Sequence, residues 1–134
     1  MPDPAASAPD SGRRGLQLCP SAELAEKGQA LVFDVLHFRE PARAFALRFD
    51  GRVVAYLNRC AHVPAEMDWN PGDFLDDTRE FIVCAIHGAV YEPGQGHCVG
   101  GPCGGGRLMP LRVEERDGQV YWYPSPDIQP AFAD

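Results

Sequence analysis

Two stretches of this chain alternate apolar and polar residues, and each is folded back on itself by a tight-turn pair. Phe45, Leu47 and Phe49 stand at every second position, Asp50-Gly51 follows, and residues 53–57 return in a run of Val, Ala, Tyr and Leu. Side chains two apart share one face of a strand, and Asp-Gly accepts the positive φ angles of a two-residue hairpin turn. A hairpin is therefore predicted over 43–58. A second runs from 111–116 through Asp117-Gly118 to 119–123. Shorter strands are predicted over 16–19 and over 30–39, the latter rich in β-branched and aromatic residues. Between them lies one helical turn over 21–27, with Ser21 as its N-cap and Gly28 as its stop. Pro124, Pro126 and Pro130 are expected to end the ordered part. The pattern describes an all-β fold, an antiparallel β-sandwich or barrel. A loop-rich lobe over about 58–109 is inserted between the two hairpins. Neither an internal repeat nor a βαβ alternation is present.

Composition narrows the picture. A single domain over 16–124 is expected, flanked by a disordered N-terminal tail over 1–15, rich in Pro, Ala, Ser and Asp, and a C-terminal tail over 125–134. Hydrophobic residues make up 45% and charged residues 23%, ordinary for a globular chain that builds a core without staples. The formal charge of −7 argues against nucleic acid or an anionic membrane as partner, because both select basic surfaces. No apolar run approaches the ~20 residues of a membrane-spanning helix. Arg13-Arg14 lacks the apolar block of an export signal behind it. The five cysteines are an odd number and poorly suited to a secreted disulfide framework, so a cytoplasmic setting is expected.

The chemistry sits in the inserted lobe. Cys60-Ala61-His62 is followed, after 21 residues, by Cys84-Ala85-Ile86-His87, and then by seven glycines between Gly94 and Gly106. Two thiolates and two imidazoles suit zinc or an iron–sulfur centre. A zinc finger spaces its ligand pairs by about 12–15 residues and places both histidines in its second half. Here each half supplies one Cys and one His across a longer gap. The alternative is a two-iron cluster in which two His replace two Cys on one iron. Gly104-Gly105-Gly106 lacks the Lys-Ser/Thr of a phosphate loop. No dinucleotide fingerprint and no catalytic mononuclear-iron domain is present.

The order Cys-x-His, Cys-x-x-His, Gly88, Tyr91-Glu92-Pro93-Gly94 and Gly101-Pro102 resembles the Rieske [2Fe-2S] domain. The likeness extends over about 16–124 and is strongest from Cys60 to Arg107. It implies one [2Fe-2S] cluster per chain, with Cys60 and Cys84 on the inner iron and His62 and His87 on the outer, solvent-facing one. It also implies Tyr91 as a donor to a thiolate sulfur, Gly101 as a point of close backbone approach, and Pro102 as a shield against water. Two neutral imidazoles in place of thiolates make reduction easier, so potentials in such domains span about −150 to +300 mV. High-potential members carry a disulfide at positions corresponding to Ala65 and Ile86, and a serine at the position of Ala89. The chain lacks these groups, which implies a low or intermediate potential.

What the resemblance implies for function is a one-electron carrier rather than an enzyme, like a soluble Rieske ferredoxin. Its partners would be redox proteins: a reductase as donor and an oxygenase or other redox enzyme as acceptor, with no nucleic acid and no membrane. An accessory or small subunit, a redox-sensing Rieske protein, and a zinc-binding structural module are the alternatives. The 62–84 gap is longer than usual, with the excess at 68–74, where Trp69 and Phe74 are expected to pack the lobe. The ligand loops are expected to have little apolar packing of their own. Cys98 and Cys103 flank the proline loop and leave open a disulfide, a redox-sensitive pair, a further metal contact or small buried hydrophobes. Cys19, His37 and His97 are expected in structural or surface roles, and Tyr121 and Trp122 in a sheet.

Overall fold

A computed structural model describes residues 15–59, 67, 72–84, 88–103 and 106–131, with the backbone alone described at 103. The described residues form ten strands: β1 (Leu16–Pro20), β2 (Leu31–His37), β3 (Glu40–Phe49), β4 (Arg52–Leu57), β5 (Ile82–Val83), β6 (Val90–Tyr91), β7 (Cys98–Gly100), β8 (Arg112–Arg116), β9 (Gln119–Tyr123) and β10 (Ile128–Pro130). They form antiparallel sheets in the orders β1-β9-β8, β10-β2-β3-β4 and β5-β6-β7. The first two make a base. The third belongs to the inserted lobe. No α-helix occurs among the described residues, and the fold is all-β.

Turn chemistry set the hairpins that the pattern predicts. Asp50 and Gly51 have φ 53° and 78°, and Asp117 and Gly118 have φ 51° and 76°, the positive pairs that match strand twist. The Glu26 carboxylate accepts the N–H groups of Asp50 and Gly51 at 2.6 and 2.8 Å, pinning the first turn. Three expectations differ from the structure. The strand predicted over 30–39 stops at His37, because Phe38 and Arg39 (φ 50° and 70°) make a hairpin turn into β3 without glycine or asparagine. Such angles are costly for an aromatic residue, so no turn signal marks the position. The segment 21–27 contains only a 3-10 turn, Ser21–Glu23, preceded by Pro20 with no side-chain cap. Within the expected C-terminal tail, β10 pairs with β2, placing Ile128 opposite His37 and burying it.

β3 and β4 are the wall between two cores, and their alternation explains both. Phe45, Leu47 and Tyr56 face one side; Ala44, Ala46, Ala55 and Leu57 face the other. On the alanine side the base packs with Val35, Val120, Trp122 and Ile128, and Phe33 leans on Trp122 with ring centroids 5.3 Å apart. On the aromatic side the wall meets the lobe: Met67, Phe74, Leu75, Ile82, Cys84, Ala89, Tyr91 and Leu108. Phe74 stacks on Phe45 at 3.8 Å between centroids, so it packs the lobe as expected, while Trp69 lies outside the described residues. These described side chains bury the lobe against the wall, while the ligand loops over 60–66 and 85–87 lie outside the described residues. Burying each large side chain contributes roughly 1.5–3 kcal/mol, and several of them anchor the lobe to the wall.

Polar ties reinforce both joints. Arg48 on β3 pairs with Glu115 on β8 through both terminal nitrogens, at 2.6 and 3.0 Å, and donates to the carbonyls of Leu24 and Ser21. Ala30 N–H donates to Gly72 O, and Arg79 Nε donates to Lys27 O, linking base to lobe.

Candidate metal centre

Three loops leave this framework on one side of the shared core. The first follows β4. Asn58 is buried; its N–H donates to Arg43 O at 2.8 Å, and its Oδ1 accepts the Met67 N–H at 2.8 Å. One side chain thus ties residue 58 to residue 67 and closes the loop between them. Met67 is fully buried beside Cys84, Ala89 and Tyr91. Cys60, His62 and Ala65 lie within that loop, outside the described residues.

The second loop joins β5 to β6. Cys84 N–H donates to Ala89 O, and Gly88 N–H returns to Cys84 O, both at 2.8 Å. Gly88 makes this return at φ 77°, an angle that glycine adopts without strain. Cys84 is fully buried and not disulfide-bonded. A thiol held among apolar side chains is normally protonated and inert, and coordination to a metal is what deprotonates it. His87 and Ile86 lie outside the described residues. Ala89 is fully buried and brings no hydroxyl to this position.

The third loop follows β7, where Val90 pairs with Gly100 and Tyr91 with Cys98. A 3-10 turn, Gly101–Cys103, then reverses the chain. Gly101 has φ 79°, and a Cβ there would fall 2.4 Å from Gly88 O and 2.9 Å from Ala89 Cα. The third loop is therefore seated directly on the second, with Pro102 exposed on its outer side. Tyr91, paired with Ile82 and Cys98, is fully buried. Cys98 N–H donates to Gly106 O and Leu108 N–H to Gly96 O, closing the loop at its base. Tyr56 anchors the approach: its hydroxyl donates to Pro93 O at 2.6 Å, and burial pushes its pKa up to about 12.

The structure thus sets Gly101 and Pro102 over the turn that begins at Cys84, buries Tyr91 in the same core as Cys84, and ties the two ends of the first loop together through Asn58 and Met67. A buried thiol, two loops in backbone contact and a glycine where a side chain would collide fit a compact cluster with thiolate donors. Sequence reasoning missed Asn58 and Met67, whose signal is a polar residue at a strand end just before the first ligand pair. It also left open the state of Cys98, which is disulfide-bonded.

The remaining candidates lie elsewhere. His37 is buried under Phe38, with ring centroids 4.5 Å apart, and its Nδ1 lies 3.5 Å from Arg59. Burial, then the Arg59 charge, lowers its pKa. Cys19 is a buried thiol of the base whose pKa is raised by burial. His97 is exposed, and Tyr121 and Trp122 lie on β9 as expected.

No helix among the described residues is long and apolar enough to cross a membrane. No curated protein matches the sequence. Among solved structures, the chain is similar to the ferredoxin of carbazole 1,9a-dioxygenase from Nocardioides aromaticivorans IC177, at 19% identity and TM-score 0.65, covering 83% of this chain and 98% of that one. It is also similar to a chain in a complex of reduced oxygenase and oxidised ferredoxin in carbazole 1,9a-dioxygenase, at 21% identity and TM-score 0.61, covering 81% and 92%. At these identities the likeness establishes the fold. The model of the Rieske [2Fe-2S] domain matches residues 15–124, which include every described strand but β10 and all three loops. The chain belongs to the Rieske [2Fe-2S] domain family, whose domain carries one [2Fe-2S] cluster per chain.

Proposed function

We propose that this protein is a one-electron carrier that passes electrons from a reductase to an oxygenase, in the cytoplasm, with Cys60, His62, Cys84 and His87 holding its cluster. The seating of Gly101 on Gly88–Ala89 near the buried Cys84 carries the reading, because it sets the second and third loops in backbone contact next to a thiolate donor. When bound, a Rieske cluster supplies a reversible one-electron couple at moderate potential. The chain's own residues do the rest. Asn58 and the Cys84–Gly88 turn hold the two ligand loops in shape, Tyr91 packs against the thiolate side, and Pro102 covers the outer side. Catalysis belongs to the acceptor. The oxygenase assignment draws on the similar ferredoxin–oxygenase complexes, and the cytoplasmic setting on cysteine usage.

Ala89 supports a low or intermediate potential, since a buried methyl donates no hydrogen bond to the reduced, more negative state. A redox titration with a midpoint above roughly +200 mV would contradict this.

Visible absorption and EPR of the reduced protein test the cofactor, and reduction by a flavin reductase followed by turnover of an oxygenase tests the role. Cys84→Ser should remove the visible spectrum completely. An unchanged spectrum in that variant would show that the ligand assignment is wrong.

A further inference from the structure

We propose that the tip of the β2–β3 hairpin is a self-complementary docking surface through which two copies of this chain pair. Phe38 and Arg39 make its turn at φ 50° and 70°, angles that asparagine and glycine adopt far more readily. The Phe38 N–H donates to Asp127 O at 2.9 Å, and the ring leans on His37. The residue is nevertheless 62% exposed, more than any other large apolar residue among those described. Strain at a residue whose apolar body faces water points to a contact that a single copy does not make.

The place for the ring lies beside it. Register sets Leu36 opposite Pro41 on β3 and Gln129 on β10, so these residues share one face of the sheet. Further along the same face, Val32 and Phe45 pack against the lobe. At the Leu36 end, Pro41 and Gln129 are exposed. A groove of about 400 Å³ runs there between Leu36, Phe38, Arg39, Pro126 and Gln129. A second, of about 550 Å³, continues from Leu36 to Pro41 and Arg43. An aromatic knob next to an apolar-floored groove suits a two-fold axis, which seats each ring in the other copy's groove.

Charge selects a second copy over a foreign protein. The chain carries −7 overall, yet this end holds Asp34, Glu40 and Asp127 against Arg39, Arg43 and Arg59. Asp34 and Arg43 pair at 3.6 Å. Arg39 and Glu40, adjacent and both exposed, have no ion pair among the described residues. A partner of one dominant sign is met by a surface of the opposite sign. A neutral patch of mixed sign is complementary to itself, with Arg39 of each copy facing Glu40 of the other. Elsewhere two acidic surfaces repel, so approach is least opposed here. Arg59, 3.5 Å from His37 Nδ1 and one residue before Cys60, places the seam beside the first ligand loop. Nothing in the contact depends on the electron-carrier role.

Sedimentation velocity of the purified full-length protein, over about 10 µM to 1 mM at about 0.15 M salt, reads the association. The mass should rise from monomer toward dimer across this range. Phe38→Asn, whose side chain suits the turn, should keep the visible spectrum and far-UV dichroism and weaken association by at least about tenfold. Arg39→Glu should weaken it about tenfold, and Arg39→Glu combined with Glu40→Arg should restore it to within about threefold. Should Phe38→Asn fail to fold, the charge swap alone decides. A protein that stays monomeric at the highest concentration overturns the pairing, as does a dimer that survives Phe38→Asn or a swap that restores nothing. A monomer whose Phe38→Asn variant slows electron transfer to an oxygenase assigns the tip to that protein and overturns the pairing too. A dimer that is colourless leaves the pairing in place and sinks the carrier reading alone.

Discussion

The base and the lobe are built from the same kinds of residue but held in different ways. In the base, β2 and β3 run for seven and ten residues in continuous antiparallel register, and backbone ladders define the position of every side chain. In the lobe, β5, β6 and β7 have two, two and three residues, too few to specify a fold alone. The lobe instead takes its shape from side chains laid on the aromatic face of β3 and β4, from turns closed by Gly88 and Gly101, and from the Asn58–Met67 tie. Ladders give rigidity that does not depend on any one residue. Packing and tight turns give precision at the site, at the cost of sensitivity to single changes. This is the arrangement a metal site needs, since its ligands must leave regular structure to converge.

The comparison is testable through variants that strike one region and spare the other. Phe74→Ala should have the largest effect, about 4 kcal/mol of lobe stability, by leaving a cavity against Phe45. Hydrogen exchange should show amides of β5 and β6 losing protection well before those of β8 and β9; simultaneous loss would mean the two regions unfold as one. Gly101→Ala comes next, at about 2 kcal/mol or more, because its Cβ would meet the Gly88 carbonyl oxygen and the Ala89 backbone. Thermal melts followed in the visible should drop while far-UV dichroism of the base is kept. Arg48→Ala should cost about 2 kcal/mol, confined to the base, since its partners are Glu115, Leu24 and Ser21. Calorimetry should show this loss with cluster absorption unchanged below the transition.

Acid should give the smallest effect. The Arg48 hydrogen bond holds the Glu115 carboxyl below its ordinary value of 4.5. A carboxylate lowered on folding stabilises the folded state above its unfolded pKa, and the contribution fades as pH falls through the folded value. Buried His37, lowered by desolvation and by Arg59, acts in the same direction, because protonation below about pH 6.5 would place a charge inside the fold. Melting temperature should therefore decline as pH is taken from 7 toward 3, and below 4.5 the decline should be less steep in Arg48→Ala. An equal slope in the variant would remove Glu115 from the account.

Much of the base was legible along the chain. Asp50-Gly51 and Asp117-Gly118 are local signals whose φ preference acts wherever the chain goes, and alternating apolar residues specify faces. The spacing from Cys60 to His62 and Cys84 to His87, from which the proposed ligand set is drawn, was legible for a related reason: donor identity is a property of single residues. Phe38-Arg39 was not legible as a turn, because the surrounding sheet imposes its positive φ angles. β10 was hidden behind prolines that suit an edge strand as well as a tail.

By itself, then, the order of residues determined the all-β class, two of the hairpins, the proposed donor set and the family it resembles. Tertiary structure decided the rest. Only the folded chain shows that the two faces of β3 and β4 serve different cores, that Asn58 closes the first loop, and that Gly101 rests on Gly88. Each of these depends on residues far apart in sequence whose approach is set by packing, and no local preference encodes a contact between them.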